Sequence, residues 1–567
     1  MDVDPHAVEV AKLSLLLVVL EGATDEGLAM QLRFAHERAL PDLDKNIKCG
    51  NSLIGPDYPM LRFLPDDERS RVNLMAWADE FAEVMSAGGF DVVGNPPCIR
   101  IQGMKEWAAY EVDMYKQAFQ SAGKGNYDKY ALFVELGLRV LNSYGRLGYI
   151  LPHKFFNAYY GEPLRKLISE GKHLYEVVHF GDQQVFTGAT TYTALLFLHK
   201  RPTAQVRFSK VGDLSTWEAT GRAQYAHSGV VPADQLSGAE WNFTVGGSSA
   251  LFERLSSMPT KLGQVASIFV GLQTSADTVF LFKDSVKAEG PLTRVHSKAL
   301  GRDVELESPL LKPVIRSGSI GRYWATPTAL VLFPYKAAPS QGNGKARMQL
   351  IPEAELRHEY PKTWAYLEAN RELLTEREHG RFALTGWYQL YPKNLDLWEQ
   401  PKLMVPYMVR RLSAFYDESD NYFVNVTTGG FGITVDPGFG TLDYTAALLN
   451  SKVLDWYMRQ VSTSFHGGYF AANKQYLVQL PLPRLDLNNV HDRETHAQVV
   501  ALAREIAASY KRLEAERPPD AKTLRQRDIA AADRRLEHLV CDLYGLSDQE
   551  RQLVEHQVGG AESVAHL

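Results

Sequence analysis

One stretch limits the possible folds more than any other: Phe90-Asp91-Val92-Val93-Gly94-Asn95-Pro96-Pro97-Cys98-Ile99-Arg100, an apolar run that stops in Asn-Pro-Pro. Such a run is a buried strand that ends where the prolines begin, because proline has no amide hydrogen for a central ladder. The prolines fix their own φ and bias the preceding residue toward extended backbone, so the Asn95 amide and nearby carbonyls are held in one geometry at a sheet edge.

That turn offers hydrogen-bond acceptors without flexibility. An exocyclic amine conjugated to an aromatic ring is a poor nucleophile. Two acceptors gripping its hydrogens draw the nitrogen lone pair out of the ring, and the amine can then attack an electrophilic methyl group. The same tripeptide also serves as an ordinary strand-ending turn. The surrounding sequence decides between the two.

The 567 residues allow about two to four domains with substantial cores. A formal net charge of -6 excludes a uniformly basic nucleic-acid coat but leaves room for a local basic cleft. Three cysteines, Cys49, Cys98 and Cys541, make neither a disulfide framework nor a closed zinc site, and a reducing compartment is expected. The longest mostly apolar run near the start, residues 13–20, is too short to span a bilayer and follows acidic residues, so no membrane anchor and a cytoplasmic location are expected.

The chain opens with Met1-Asp2-Val3-Asp4-Pro5, then a helical pattern through Val8, Ala11, Leu15 and Val18, with Ala7 on the same face. Asp4 and Pro5 suit an N-cap and first turn. An acidic residue at a strand end just before a helix is where nucleotide-binding α/β folds hold a ribose diol, which makes Asp2 the candidate. Asn46 to Leu53 reads as a short strand ending in a polar loop. Residues 128–141 form an amphipathic helix carrying Phe133, residues 146–151 a strand and residues 162–170 a helix. Residues 174–180 and 193–198 read as the last two strands, too close in sequence for a helical crossover and therefore antiparallel.

Five phrases occur in one order: Asp-Val-Asp-Pro-x-Ala-Val-x-x-Ala, Cys-Gly-Asn-Ser-Leu-Ile-Gly, Asp-Val-Val-Gly-Asn-Pro-Pro, Tyr-Asp-x-Tyr-x-x-Phe and Gly-Arg-Leu-Gly-Tyr-Ile-Leu-Pro. Together they resemble the adenine-specific DNA methyltransferase domain of type II restriction-modification fusion enzymes and related phage-defence methylases. The resemblance is close over residues 1–200 and looser beyond. It implies S-adenosylmethionine as cofactor, with Asp2 on the ribose hydroxyls, Asn51 near the adenine amine and Phe133 on the adenine ring. It also implies that Asn95 and the Pro96 carbonyl, within Asn95-Pro96-Pro97-Cys98, grip the target adenine N6.

Two departures from the family stand out. The family carries Tyr or Phe after Pro-Pro to stack on the flipped-out base, whereas this chain has Cys98. Stacking is worth ~1–3 kcal/mol per base, so its loss slows turnover by ~10- to 100-fold unless another ring replaces it. Tyr160 lies where the family places a second aromatic against the target base, and it also suits a core position at a helix start. The second departure is that the family's glycine-rich first motif lies upstream of Asp2. Without that strand the Asn-Pro-Pro strand is expected to have an open apolar edge. A partner polypeptide, a truncated product or a misassigned start would account for it.

From Arg201 the pattern turns irregular. The expected fold is α/β: an incomplete Rossmann-like methyltransferase sheet over residues 1–200, an α+β target-recognition domain over 201–485 and C-terminal helices over 486–567. Residues 262–280 read as a strand pair around Val270-Gly271-Leu272-Gln273-Thr274, which resembles the opening of the family's target-recognition domain. Arg316, Arg322, Lys336, Arg410, Arg411 and Lys474 are candidate DNA contacts, each also readable as a solvated surface charge. Phosphate contacts would set register and base-edge contacts sequence preference. Gly429-Gly430-Phe431-Gly432 has no phosphate-loop spacing and reads as loop turns. Residues 497–516 and 524–544 read as a helical hairpin around Pro518-Pro519, whose mixed charges favour a packing strut over a DNA clamp.

The resemblance implies an adenine-N6 methyltransferase module acting on double-stranded DNA in a restriction or phage-defence system. Methyl transfer from a sulfonium needs alignment and amine activation, so no metal is implied. The alternative is a catalytically silent DNA-recognition subunit that needs a partner chain. A third reading, an RNA or protein amine methyltransferase, shares the turn chemistry but leaves the large recognition-like region without a role.

Overall fold

The computed structural model describes residues 2–21, 43–65, 69, 71–188, 191–220, 225–243, 248–338, 348–383, 386–391, 394, 397–398, 400–418, 421–424 and 429–559. It divides into two compact units, residues 1–246 and 247–567. In the first, the Asn-Pro-Pro run forms β1 (Val92–Gly94). It is followed by β2 (Arg146–Pro152), β3 (Leu174–His179), β4 (Thr193–His199), β5 (Gln205–Val211) and β6 (Tyr225–Pro232). They form one mixed sheet in the order β1-β2-β4-β3-β5-β6.

β1 runs parallel to β2, as expected of a helical crossover, and of the helices in that connection Tyr130–Val140 leads directly into β2. That helix buries Tyr130, Leu132, Val134 and Leu138. At Gly137 an added Cβ would meet the Leu147 side chain at 2.3 Å, so glycine is what lets the helix lie close to β2. β3 and β4 are antiparallel, as their short connection requires, but they are not the last strands. β5 adds parallel to β3 and β6 antiparallel to β5, carrying the sheet past residue 200. Val206 and Phe208 alternate into the core there, a signal too short to stand out in an irregular region.

β1 is an edge strand, with Val93 90% exposed. The first helix, Pro5–Glu21, is equally open. Of the expected inward face only Val8 is buried, whereas Leu15 and Val18 are 50% and 64% exposed.

The second unit holds a four-stranded antiparallel sheet in the order Phe415–Asp417, Lys402–Pro406, Gly430–Val435, Ala266–Val270. The expected strand pair within residues 262–280 does not form. Ala266–Val270 pairs with Gly430–Val435, and Leu272 bridges Val424. Of the glycines read as loop turns, Gly429 does lie in a turn, whereas Gly430 and Gly432 lie in a central strand. A Cβ on Gly432 would meet the Phe269 ring at 2.3 Å, and this close approach demands glycine inside a strand.

The C-terminal helices Val490–Ala515 and Pro519–Leu543 form the expected hairpin. Their Val499, Ile506, Leu536 and Val540 share one core with Trp456, Leu448 and Leu403. Among the described residues no helix is long and apolar enough to cross a membrane.

Candidate active site

The parallel pairing of β1 brings the Asn-Pro-Pro turn to the strand's C-terminal end, where open α/β sheets place their ligands. Pro96 is buried, while Asn95, Pro97 and Cys98 face solvent. The Asn95 amide makes no hydrogen bond with any described residue, so both its polar atoms are available. The Cys98 thiol donates to the Pro96 carbonyl oxygen at 3.8 Å. A thiol is a weak donor that a stronger one displaces readily.

The chain leaving the turn is zipped to the segment that precedes the crossover helix. Lys129 N–H donates to Ile99 O (2.8 Å), Ile101 N–H donates to Tyr127 O (3.1 Å), and Arg100 bridges Asp128. The Tyr160 hydroxyl donates to Asp128 Oδ2 at 3.3 Å and lies 2.9 Å from the Tyr130 hydroxyl. Asp128, Tyr130 and Tyr160 thus form one hydrogen-bonded wall beside the turn. Burial raises the Asp128 carboxyl above its ordinary value despite the nearby Arg100 and Lys154. Although Cys98 as a residue is exposed, its sulfur is partly shielded beside the Pro96 carbonyl, and this desolvation, then the Asp128 charge, raises the thiol, so it stays neutral.

Tyr160 is held from behind. Arg165, almost fully buried, donates from Nη1 to Phe155 O (2.6 Å) and Ala158 O (2.8 Å), and from Nε to Ala239 O (2.8 Å). The Tyr160 ring packs into two core clusters, and Tyr159 is the exposed neighbour, with Lys124 Nζ 4.2 Å from its ring centre. Asp128 and Arg165 were not singled out from sequence. The Asp128 signal lies in the Tyr-Asp-x-Tyr phrase itself; an arginine five residues after Tyr160 carries none.

The candidate cofactor residues fall in two groups. Asp2 pairs in parallel with Cys49, and its exposed carboxylate caps the turn by accepting from Asp4 N–H at 3.0 Å. Asn51, two residues beyond Cys49, bridges Leu74. Its side chain is buried and engaged: Oδ1 accepts from Leu53 N–H (3.1 Å) and Nδ2 donates to Glu111 (3.4 Å). Phe133 is half-buried and packs against the clusters that hold Val92, Leu53 and Tyr160, so it links the Asn51 side of the unit to the turn. Asp2 and the Cys49–Asn51 turn are thus neighbours through the Asp2–Cys49 bridge, while Phe133 lies with the core beside the turn, and the Asn51 amide is already paired.

The cations proposed for DNA contact separate in the second unit. Arg322 forms a two-pronged bond to Asp533 (2.9 and 2.6 Å), donates to Asn450 O (3.0 Å), and lies 3.7 Å from Glu537. Arg411 pairs with Glu537 at 3.3 Å and Lys336 with Glu355. Lys474 donates to Ile268 O at 2.9 Å, and Arg410 is half-buried over the Tyr469 ring. All five are engaged by groups of the same unit. Arg316 is exposed.

Residues 1–186 match the family described as Eco57I restriction-modification methylase, and residues 356–482 match the TaqI-like C-terminal specificity domain. The chain is 27% identical to the Escherichia coli "Type II restriction enzyme and methyltransferase RM.Eco57I", a match covering 98% of this chain and 54% of that protein. It is 24% identical to the Pseudomonas aeruginosa "Type II methyltransferase M.PaeR7I", over 82% of this chain and 72% of that protein. The chain thus spans about half the length of the first of these relatives. The fold is similar to that of the type IIL restriction-modification enzyme MmeI in complex with DNA, with a TM-score of 0.52 at 12% identity, covering 86% of this chain and 59% of that one.

Proposed function

From a chain that joins an Eco57I-type restriction-modification methylase segment to a TaqI-like specificity domain, we propose a sequence-specific DNA methyltransferase module that methylates adenine N6. The observation that carries this reading is the free Asn95 amide on a proline-locked turn at the end of β1, beside the Asp128–Tyr130–Tyr160 wall.

In this reading Asn95 Oδ1 and the Pro96 carbonyl accept the two hydrogens of the adenine amine. The amine displaces the Cys98 thiol as donor to Pro96. Both acceptors strengthen as the nitrogen lone pair leaves the ring, so they act chiefly in the transition state. Pro97 keeps the turn rigid. S-adenosylmethionine supplies a methyl group on a positively charged sulfur. Asp2 holds the ribose hydroxyls, and Asn51 and Phe133 shape the adenine end. Tyr160 is the ring against the flipped base in place of the aromatic absent at position 98.

The open edge of β1 and the apolar surface of helix Pro5–Glu21 call for a cover of strand and apolar side chains, from further methylase sequence in the same or a partner polypeptide. The second unit recognises the target, and its C-terminal helices brace it. Cys98 and the uncovered edge favour a second reading, a catalytically silent recognition subunit. The test is incubation with S-adenosyl-[methyl-³H]methionine and unmethylated duplex, using protein purified from its native cells with whatever accompanies it, followed by digestion to nucleosides. Label in N6-methyldeoxyadenosine supports methylation. Duplex binding with no label in any nucleoside supports the silent subunit.

A further inference from the structure

Seven described residues other than glycine have positive φ, and four of them surround one loop of the second unit: Ser275 (50°), Glu378 (50°), His379 (57°) and Asn394 (59°). The loop spans residues 270–275 and includes the Gly-Leu-Gln-Thr phrase. Ser275 Oγ donates to Glu378 Oε1 at 2.8 Å, Asn394 Nδ2 donates to Val270 O at 3.5 Å, and Tyr391 N–H donates to Gln273 O at 2.8 Å. Left-handed backbone is unfavourable for serine and glutamate, and persists where the surroundings over-determine it. Such positions cluster at functional sites.

The surroundings here include a buried cation. Arg377 donates from Nη1 to Thr274 O (2.7 Å), from Nη2 to Trp387 O (2.8 Å) and Gln389 O (3.0 Å), and from Nε to Leu374 O (2.9 Å). One side chain thus locks three segments together. Helix Arg371–Gly380 therefore ends in two consecutive left-handed residues and Gly380 (φ 79°), which lift His379 and Arg381 into solvent. Arg381 Nη1 donates to the Tyr391 hydroxyl at 2.8 Å, and its guanidinium lies 5.0 Å from the Tyr391 ring centre. One of its five N–H groups is used, and the fork is anchored at Tyr391 without a carboxylate partner among the described residues. Arg322 and Arg411, by contrast, are neutralised by Asp533 and Glu537.

We propose that this turn is a base-reading ridge, with Arg381 as the fork that reads a guanine edge and Arg377 as the positioning residue behind it. The proposal rests on the reading that the second unit recognises duplex DNA, and Arg381 lies inside the matched specificity segment. A planar fork with several free donors, anchored by a hydrogen bond and a cation–ring contact to Tyr391 rather than by an ion pair, fits the two acceptors of guanine O6 and N7. His379 stands beside it as an adaptable donor or acceptor.

The test is enrichment of bound sequences from a randomised double-stranded oligonucleotide pool by the full chain, comparing wild type with Arg381→Ala, Arg381→Gln and Arg381→Lys. The wild type should enrich a motif containing a G·C pair. The variants should lose preference at that pair by about tenfold or more while keeping the rest of the motif. Lysine should not restore it, because it cannot make the fork. An unchanged motif in folded Arg381→Ala overturns the ridge alone. Equal weakening on every sequence makes Arg381 a phosphate contact and also overturns it. A wild type that binds no duplex overturns both this proposal and the recognition reading beneath it.

Discussion

Removing Asp533 should destabilise the second unit without a specific effect on DNA. Its carboxylate takes both prongs of Arg322, and the two side chains are 20% and 14% exposed. Asp533→Ala leaves a mostly buried guanidinium with one backbone carbonyl and the more distant Glu537, 3.7 Å away. Breaking a buried pair by deleting one partner costs about 3–5 kcal/mol, and the residual Glu537 contact places this case near 3 kcal/mol. For a unit of residues 247–567 that lowers the melting temperature by about 4–5 °C, at about 2.1 cal/mol/K of unfolding entropy per residue. Arg322→Met should cost a similar amount by stranding Asp533. The double variant Arg322→Met with Asp533→Leu should recover about 2 kcal/mol relative to the summed single changes, because neither charge is then buried alone. Differential scanning calorimetry measures the stability. Duplex binding between 50 and 200 mM salt measures the other role, since a phosphate contact contributes about one unit to the salt slope. Arg322 variants with wild-type melting temperature and a shallower salt slope would refute the brace and restore Arg322 as a DNA contact.

Three further outcomes are expected. Burial, with Lys210 nearby, holds the His153 imidazole at about 4, and burial, then the neighbouring His153, also holds His179 well below its ordinary value. The unfolded chain then binds more protons between about pH 4 and 6.5, so stability is full above that window and falls with decreasing pH by up to about 3 kcal/mol for His153. Urea denaturation at pH 7.5 and 5 should show the drop and His153→Gln should reduce it; a flat profile contradicts the burial. Gly432→Ala forces a methyl into the Phe269 ring and should cost about 1–3 kcal/mol by thermal melting, and a neutral result would mean that this part of the sheet relaxes freely. Cys98→Tyr should raise methylation of a duplex target by up to about tenfold through added stacking, whereas a slower enzyme would show that Tyr160 and Asp128 leave no room for a second ring.

What sequence reasoning could reach depended on how local each signal was. β2, β3, β4, the crossover helix and the C-terminal hairpin were legible because each carries its own apolar periodicity. The exposed β1 edge was legible only through the resemblance, in which the strand carrying the family's first motif lies beside it. Partnerships across long separations were not. Arg322 meets Asp533 at a separation of 211 residues, so nothing near Arg322 tells a brace from a phosphate contact. The Gly430–Val435 strand was hidden because its glycines answer to Phe269 and to the Val405 carbonyl, which lie elsewhere in the chain. The turn itself was fully local, whereas the Asp128–Tyr130–Tyr160 wall exists only once the segment after Cys98 pairs with residues 127–129.

The most direct test of the catalytic turn is Asn95→Ala, assayed by tritiated methyl incorporation into adenine-containing duplex and, in parallel, by duplex affinity. Asn95 is exposed and tied to no described residue, so its loss should leave the fold intact. Methyl transfer should fall by about 100-fold or more with duplex affinity within about threefold, as expected of an acceptor used chiefly in the transition state. Transfer that continues undiminished in Asn95→Ala would contradict that role.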